Sequence, residues 1–246
     1  MTVQDMHYEF KVKLNKIASG NYHNLLIPEI DWYLNEAQEI FIKQRYGVTN
    51  NKKGGFETSQ KRIDDLRELV QTNTAPAALE ILPDLGMTQA YGATIPNDYM
   101  FLVRAKAIAT KGSCSERFLT CIQSQHDDLN NILTDPFYSP SFEWAETPLI
   151  FKKTGGGNDL ITFSDGTFTI SNIVLDYIKI PQRIQFPSGV GGNYQLPDGS
   201  AVNADADCEL AQHTHHEIVD IAVMLASGDM DNPNVQMKMM KTQINE

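Results

Sequence analysis

The chain has 246 residues, 41% hydrophobic and 21% charged, a balance that supports a packed core and argues against global disorder. Its 31 acidic residues against 20 basic ones leave a formal charge of −11, which repels phosphate and argues against tight, sequence-independent nucleic-acid binding, while still suiting a wall past which DNA slides. No apolar run approaches the roughly 18 to 20 residues that span a bilayer, and Met1-Thr2-Val3-Gln4-Asp5 lacks the basic-then-apolar order of a leader, so a cytosol-like compartment is expected.

The first third reads as three helices. Val3, Met6, Phe10, Leu14 and Ile17 keep helical spacing behind Thr2, which forms a capping box with Asp5, and Gly20-Asn21 stops the run. A second helix has Pro28 near its first position, the stripe Ile30, Leu34, Ala37 and Phe41, a Glu39 to Lys43 pair and Gly47 past its end. Asn50 to Gly55 is a connection, and Ile63, Leu66 and Val70 mark a third helix.

From about residue 79 the period changes to that of strands. Phe101, Val103, Ala105, Ala107 and Ala109 form one apolar face, and Arg117 to Gln125 is its partner strand after the turn Lys111-Gly112-Ser113. His126-Asp127-Asp128-Leu129 opens a short helical turn that Asp135-Pro136 ends. Pro148 to Lys153, Leu160 to Ser164 and Thr167 to Ile170 follow as short strands, with Asp165-Gly166 predicting a hairpin between the last two. Ile173 to Phe186 reads as extended, and a polar loop ends near Asp207. The final forty residues return to helix, with Gly228 closing one and Asn232-Pro233 opening another.

The pattern predicts an α+β fold. The helices of residues 1–78 and 208–246 form one helical bundle, and residues 79–207 form an antiparallel β-rich module with long loops inserted between them.

Chemistry is sparse in this sequence. His213, His216, Glu217 and Asp220 share one helical face and could ligate a metal, and His213, His216 and Glu217 could serve a metal-dependent hydrolase. Asp220, however, stands where the H-E-x-x-H motif needs its second imidazole. The simpler reading is a polar helix start, so no metal and no cofactor are expected. Asn203, Asp205 and Asp207 imitate the opening of a calcium loop, but Cys208 and Thr214 replace its turn glycine and closing glutamate. Gly155-Gly156-Gly157 and Gly189 to Gly192 lack the order of a phosphate loop and read as hairpin tips able to reach a neighbour. Cys114, Cys121 and Cys208 show no C-x-x-C spacing and read as small buried apolar residues. No nucleophile elbow is present, so no catalytic residue is named. Trp32 and Tyr33 are read as core first and interface second. Met237, Met239 and Met240 read as a terminal segment that docks on another subunit.

Four stretches together carry a resemblance: Ile30-Asp31-Trp32-Tyr33-Leu34-Asn35 through Gln44-Arg45-Tyr46-Gly47, His126-Asp127-Asp128-Leu129 to Asp135-Pro136-Phe137, Ile180-Pro181-Gln182-Arg183-Ile184, and His215-His216-Glu217-Ile218-Val219-Asp220. They resemble virion proteins of crAss-like bacteriophages, and among these a ring protein of the neck. The resemblance implies a homo-oligomeric ring stacked below a twelvefold portal protein, contacts with other neck ring and tail proteins, and a channel for DNA that is passed without specific binding. It also implies a virion component assembled in the host cytoplasm, with no membrane and no enzymatic activity. Another tail or adaptor component and an assembly factor that departs from the mature particle are the alternatives.

Overall fold

Thr2 and Asp5 open the chain with a reciprocal cap. The Asp5 amide donates to Thr2 Oγ1 at 3.3 Å, and Asp5 Oδ2 accepts from the Thr2 amide at 3.1 Å, which satisfies donors that a helix start leaves without partners. Behind the cap, helix α1 (Val3–Ile17) buries Val3, Met6, Phe10 and Leu14. The computed structural model describes residues 1–17, 25–47, 59–80, 89–151, 159–196 and 199–229. Gly20-Asn21, Asn50 to Gly55, Gly155 to Gly157, Asn232-Pro233 and the segment bearing Met237, Met239 and Met240 lie outside the described residues.

Helix α2 (Ile27–Tyr46) starts where Pro28 fixes the backbone and Glu29 accepts from the Leu26 amide at 2.7 Å. Leucine has no side-chain oxygen to return that bond, so only half of the reciprocal cap exists. Ile30, Leu34, Ala37 and Phe41 are buried as their spacing predicts, and Lys43 pairs with Glu39 at 3.1 Å. The third helix is shorter than expected. α3 (Gln60–Leu66) passes into a 3-10 turn at Arg67–Leu69, and Val70 begins a strand. A β-branched residue paired across a ladder, here with Ile178, gains more from the sheet than from one further helical turn.

The last described helix, α5 (His215–Asp229), follows a 3-10 turn at Gln212–Thr214 and packs on both α1 and α2. Ile218, Val219, Ala222 and Ala226 are buried along it. These helices belong to one compact unit, made of Met1–Leu69 and the chain from Pro181 onward. Between Pro187 and Val190 this unit carries a 3-10 turn where a hairpin tip was expected. A Cβ on Gly189 would meet the Phe186 ring at 2.4 Å and Ile27 at 2.7 Å, so glycine serves close packing there and no projecting loop forms. A two-stranded pairing of β9 (Tyr194–Gln195) with β10 (Ala201–Val202) follows.

The second unit, Val70–Ile180, is a sheet of eight strands. They are β1 (Val70–Pro76), β2 (Ala78–Glu80), β3 (Ala90–Ala93), β4 (Tyr99–Thr110), β5 (Arg117–Gln123), β6 (Glu146–Phe151), β7 (Leu160–Phe163) and β8 (Thr169–Lys179). Their order is β1-β8-β4-β5-β6-β7-β3-β2. Only Ala77 separates β1 from β2, yet the two strands stand at opposite ends of that order, so the sheet rolls until it is nearly closed. Its interior agrees: Ala75 of β1 and Tyr91 and Ala93 of β3 share one cluster with Leu119, Leu175 and Phe168. Ala105, Ala107 and Ala109 face this interior, and their small side chains leave room for Phe142 and Phe168, whose ring centroids are 6.0 Å apart.

Two expectations for the β module fail. The sheet is not wholly antiparallel, because β5 and β6 run parallel with Thr120 opposite Glu146. Helix α4 (Leu129–Thr134) and the loop after it return the chain to the end at which β5 started, as a parallel pair requires. α4 also covers part of one sheet face, burying Leu129 and Leu133 with Ile150, Ile161 and Phe163. The Asp165-Gly166 pair does make a turn, with Gly166 at φ 85° and Asp165 Oδ1 accepting from the Thr167 amide at 2.7 Å. It joins no hairpin, however, for β7 pairs with β6 and β3, while β8 runs between β1 and β4. Turn chemistry reverses the chain locally, and the longer ladder available along β4 selects the partner. Likewise β8 ends at Lys179 rather than extending to Phe186, since Pro181 offers no amide to a ladder.

No helix among the described residues is long and apolar enough to cross a membrane.

Candidate functional site

Four charged groups converge on the start of α5, each from a different place in the chain. His213 Nε2 lies 2.8 Å from Asp65 Oδ1 of α3, and His216 Nδ1 lies 2.8 Å from Glu9 Oε2 of α1. Glu217 accepts from Arg45 of α2 at 2.5 Å and from Lys61 at 3.2 Å, and Asp220 pairs with Lys13 at 2.9 Å. The four residues that share a face in sequence are therefore drawn to four separate partners. Among the described residues, no group of three or more His, Cys, Asp and Glu side chains could hold a metal ion. The helical spacing that suggested ligands instead distributes charge along a seam. His213 also precedes the first turn of α5, inside the 3-10 segment.

The centre of that seam is Arg45, which is buried together with Asp65. Its Nε donates to Asp65 at 2.9 Å, and its guanidinium lies 4.7 Å from the centroid of the Phe41 ring. A guanidinium out of water demands such compensation, and its flat fork serves two carboxylates and an aromatic face at once. Glu9 sits at the edge of the seam. Burial opposes its charge, but hydrogen bonds from Lys13 and His216 prevail and hold the carboxyl below its ordinary value.

A second buried carboxylate, Asp31 on α2, ties in the chain beyond Pro181. It accepts from the His7 imidazole at 2.7 Å, from the Phe186 amide at 3.1 Å and from Tyr194 Oη at 2.5 Å. A carboxylate only accepts, so His7 holds its proton on Nε2. Burial and the adjacent Asp31 charge push the Tyr194 hydroxyl above its ordinary value. Asn35 completes the stitch, donating to the Ile184 carbonyl at 2.9 Å and accepting from the Ile184 amide at 2.8 Å. Asp31, Arg45 and Asp65 were not singled out as functional from sequence. A charged residue at a helical position within an apolar stripe, as Asp31 is beside Ile30, is the signal that marks one.

The calcium-like run is likewise spent on the backbone. Asp205 accepts from the Ser188 amide at 3.0 Å, and Asp207 from the Val3 amide at 2.6 Å. Of the cysteines, Cys208 is buried and Cys121 partly so, and burial raises their thiols to about 11 and about 12. Cys114 lies exposed in the turn after β4, contrary to the expectation that all three are buried.

The aromatic pair on α2 divides between the two roles foreseen for it. Tyr33 is half-buried with its ring stacked 6.4 Å from Phe10, whereas Trp32 is 61% exposed and so is no core residue. Trp32 points along the outer stripe Glu29, Trp32, Glu36 and Glu39, all exposed. Burial follows the stripe of Ile30, Leu34, Ala37 and Phe41, and a helical position next to Asp31 turns away from it.

The arrangement offers neither an aligned nucleophile nor a ligand set. It locks four helices and a returning segment into one body and leaves a polar helix face with a single large aromatic in water. The family model for phage tail ring protein 3/4 matches residues 1–233. None of the curated proteins matches the chain.

Proposed function

The chain belongs to the phage tail ring protein 3/4 family, as a ring protein of a crAss-like phage and thus a virion component, and from that premise we propose that it acts by shape in the neck. It forms a closed homo-oligomeric ring, twelvefold to match the portal, which encloses the channel through which the genome passes. The observation that carries this reading is the family match over nearly the whole chain. In this reading the helical parts, residues 1–78 and 208–246, act as a bundle that forms the ring and meets the portal. Residues 79–207 engage the next ring or the tail.

Three features support it. The seam around Arg45 makes the helical unit stiff enough to carry contacts, the net charge of −11 lets DNA pass without being held, and exposed Trp32 supplies an aromatic anchor of the kind that interfaces use. Tyr33 and the methionines Met237, Met239 and Met240 are the further candidates for contact with other subunits. The role is non-enzymatic: His213, His216 and Glu217 are engaged with Asp65, Glu9, Arg45 and Lys61.

Native mass measurement of the purified protein, together with imaging of the neck in particles, tests the reading. A closed multimer and a matching ring density are expected. A stable monomer that never enters particles would overturn it.

A further inference from the structure

We propose that neighbouring copies of this chain mate head to tail through two different surfaces: the acidic outer stripe of α2 centred on Trp32, and the uncovered face of β4 and β5 centred on Phe118. This deepens the ring reading and rests on it.

The β4 and β5 surface follows from register. Ala105, Ala107 and Ala109 point into the rolled sheet, so Arg104, Lys106 and Ile108 point out; Leu119 points in, so Phe118, Thr120 and Ile122 point out. Ile108 stands opposite Phe118, and Lys106 opposite Thr120. Over β6, β7 and β3 the corresponding face is covered by α4. Over β4 and β5 no element of the described residues covers it, and Phe118 is 61% exposed. Lys106 Nζ lies 5.9 Å from the centroid of the Phe118 ring. Arg104 and Lys106 face one acid, Asp176, which also accepts from Thr72. This face therefore leans basic in a chain whose net charge is −11.

The α2 stripe is its counterpart in charge. Glu29, Trp32, Glu36 and Glu39 recur at intervals of three and four, so they share one face of the helix. Each surface thus holds one exposed aromatic flanked by charge, acidic on α2 and basic on β4 and β5. An aromatic anchor with a charged rim of opposite sign is the make-up of a specific protein contact. The partner that carries the matching surface is on the page: it is a second copy of this chain. Because the two surfaces differ, pairing them leaves each copy with one unused surface at either end, and a chain of such contacts closes into a ring rather than stopping at a dimer.

Two variants of the full chain test this: Phe118→Asp disables one surface, and Trp32→Asp disables the other. Both positions are exposed, and circular dichroism with thermal unfolding confirms that each variant folds. Native mass spectrometry and sedimentation then read assembly. Each variant alone should need a concentration about thirtyfold higher or more for half assembly, the ratio that a buried aromatic anchor carries. Mixed together, they should form a 1:1 dimer and nothing larger, since each retains the surface that the other lacks. If the wild type forms a ring and either variant still assembles as the wild type does, or the mixture stays monomeric, the pairing is wrong and the ring reading stands. A wild type that remains monomeric at every concentration overturns both.

Discussion

Arg45 Nη2 on α2 lies 2.5 Å from Glu217 Oε2 on α5, although 172 residues separate them in sequence. The same guanidinium holds Asp65 of α3, so one side chain gathers three helices. Breaking a buried ion pair from one side leaves the other charge out of water without compensation. Arg45→Ala should therefore cost about 3–5 kcal/mol of stability, read as a lowered urea midpoint at unchanged slope. Replacing Arg45, Asp65 and Glu217 together by apolar residues of similar volume should recover most of the loss, because no orphaned charge remains. A single-variant loss under about 1 kcal/mol would mean that water reaches the seam.

Asp31 performs the same task for the returning segment. Tyr194→Phe removes one donor to a buried carboxylate and should cost about 1.5–3 kcal/mol, the range for hydrogen bonds to charged groups. Asp31→Ala should cost more, because His7, the Phe186 amide and Tyr194 all lose their acceptor at once. A double-mutant cycle between Asp31 and Tyr194 isolates their coupling. Additive losses would show that the two residues do not interact.

Much of the helical part was legible because its signals are local. The Thr2 cap, the buried stripe of α2 and the Glu39 to Lys43 pair all lie within one or two helical turns. The β4 alternation was legible for the same reason, since a strand's two faces are written into successive residues. What sequence could not give was the choice of distant partners. The Asp165-Gly166 turn is real, but only the global ladder decides that β8 lies beside β4 and not β7. The parallel pairing of β5 with β6 depends likewise on where α4 returns the chain. At the start of α5, one-face spacing looked like a ligand set because sequence shows which residues align and not what they face. Asp65, Glu9, Arg45 and Lys13 lie more than a hundred residues away in the chain, and they turn alignment into a seam.

Acid should loosen the helical unit in two stages. His215 is buried, with Nε2 donating to the Leu210 carbonyl at 2.8 Å. Burial, the largest influence, pushes its pKa below the ordinary 6.5. In the unfolded chain it titrates at the ordinary value, so between the folded value and 6.5 the unfolded state binds more protons. Stability is accordingly full above that window and falls as pH drops through it. A second fall follows below 4.5, where the carboxyl of Glu9, depressed in the folded state, loses its bonds to Lys13 and His216. Urea midpoints taken from about pH 7.5 to about pH 5.5 should decline for the wild type and flatten for His215→Gln. An equal decline in both would remove His215 as the cause, leaving the paired imidazoles of His213, His216 and His7 to account for it.

Ala145 holds a left-handed backbone, φ 59°, immediately before β6. The neighbouring bonds explain why the strain persists: the Thr120 amide donates to the Ala145 carbonyl at 2.7 Å, and Ser141 and Glu146 exchange two backbone bonds at 2.9 and 3.2 Å. These fix the start of the parallel pair, so the turn cannot relax without giving up the register of β5 against β6. For an L-residue with a Cβ this conformation costs about 1–2 kcal/mol, whereas glycine adopts it freely and forfeits about 0.5–1 kcal/mol in chain entropy. Ala145→Gly should thus raise stability by about 0.5 kcal/mol, and Ala145→Val, branched at Cβ, should lower it by more than 1 kcal/mol. Thermal unfolding of the two variants beside the wild type checks the order Gly above Ala above Val. The reverse order would mean that the methyl of Ala145, which packs against the interior cluster, contributes more than its backbone loses.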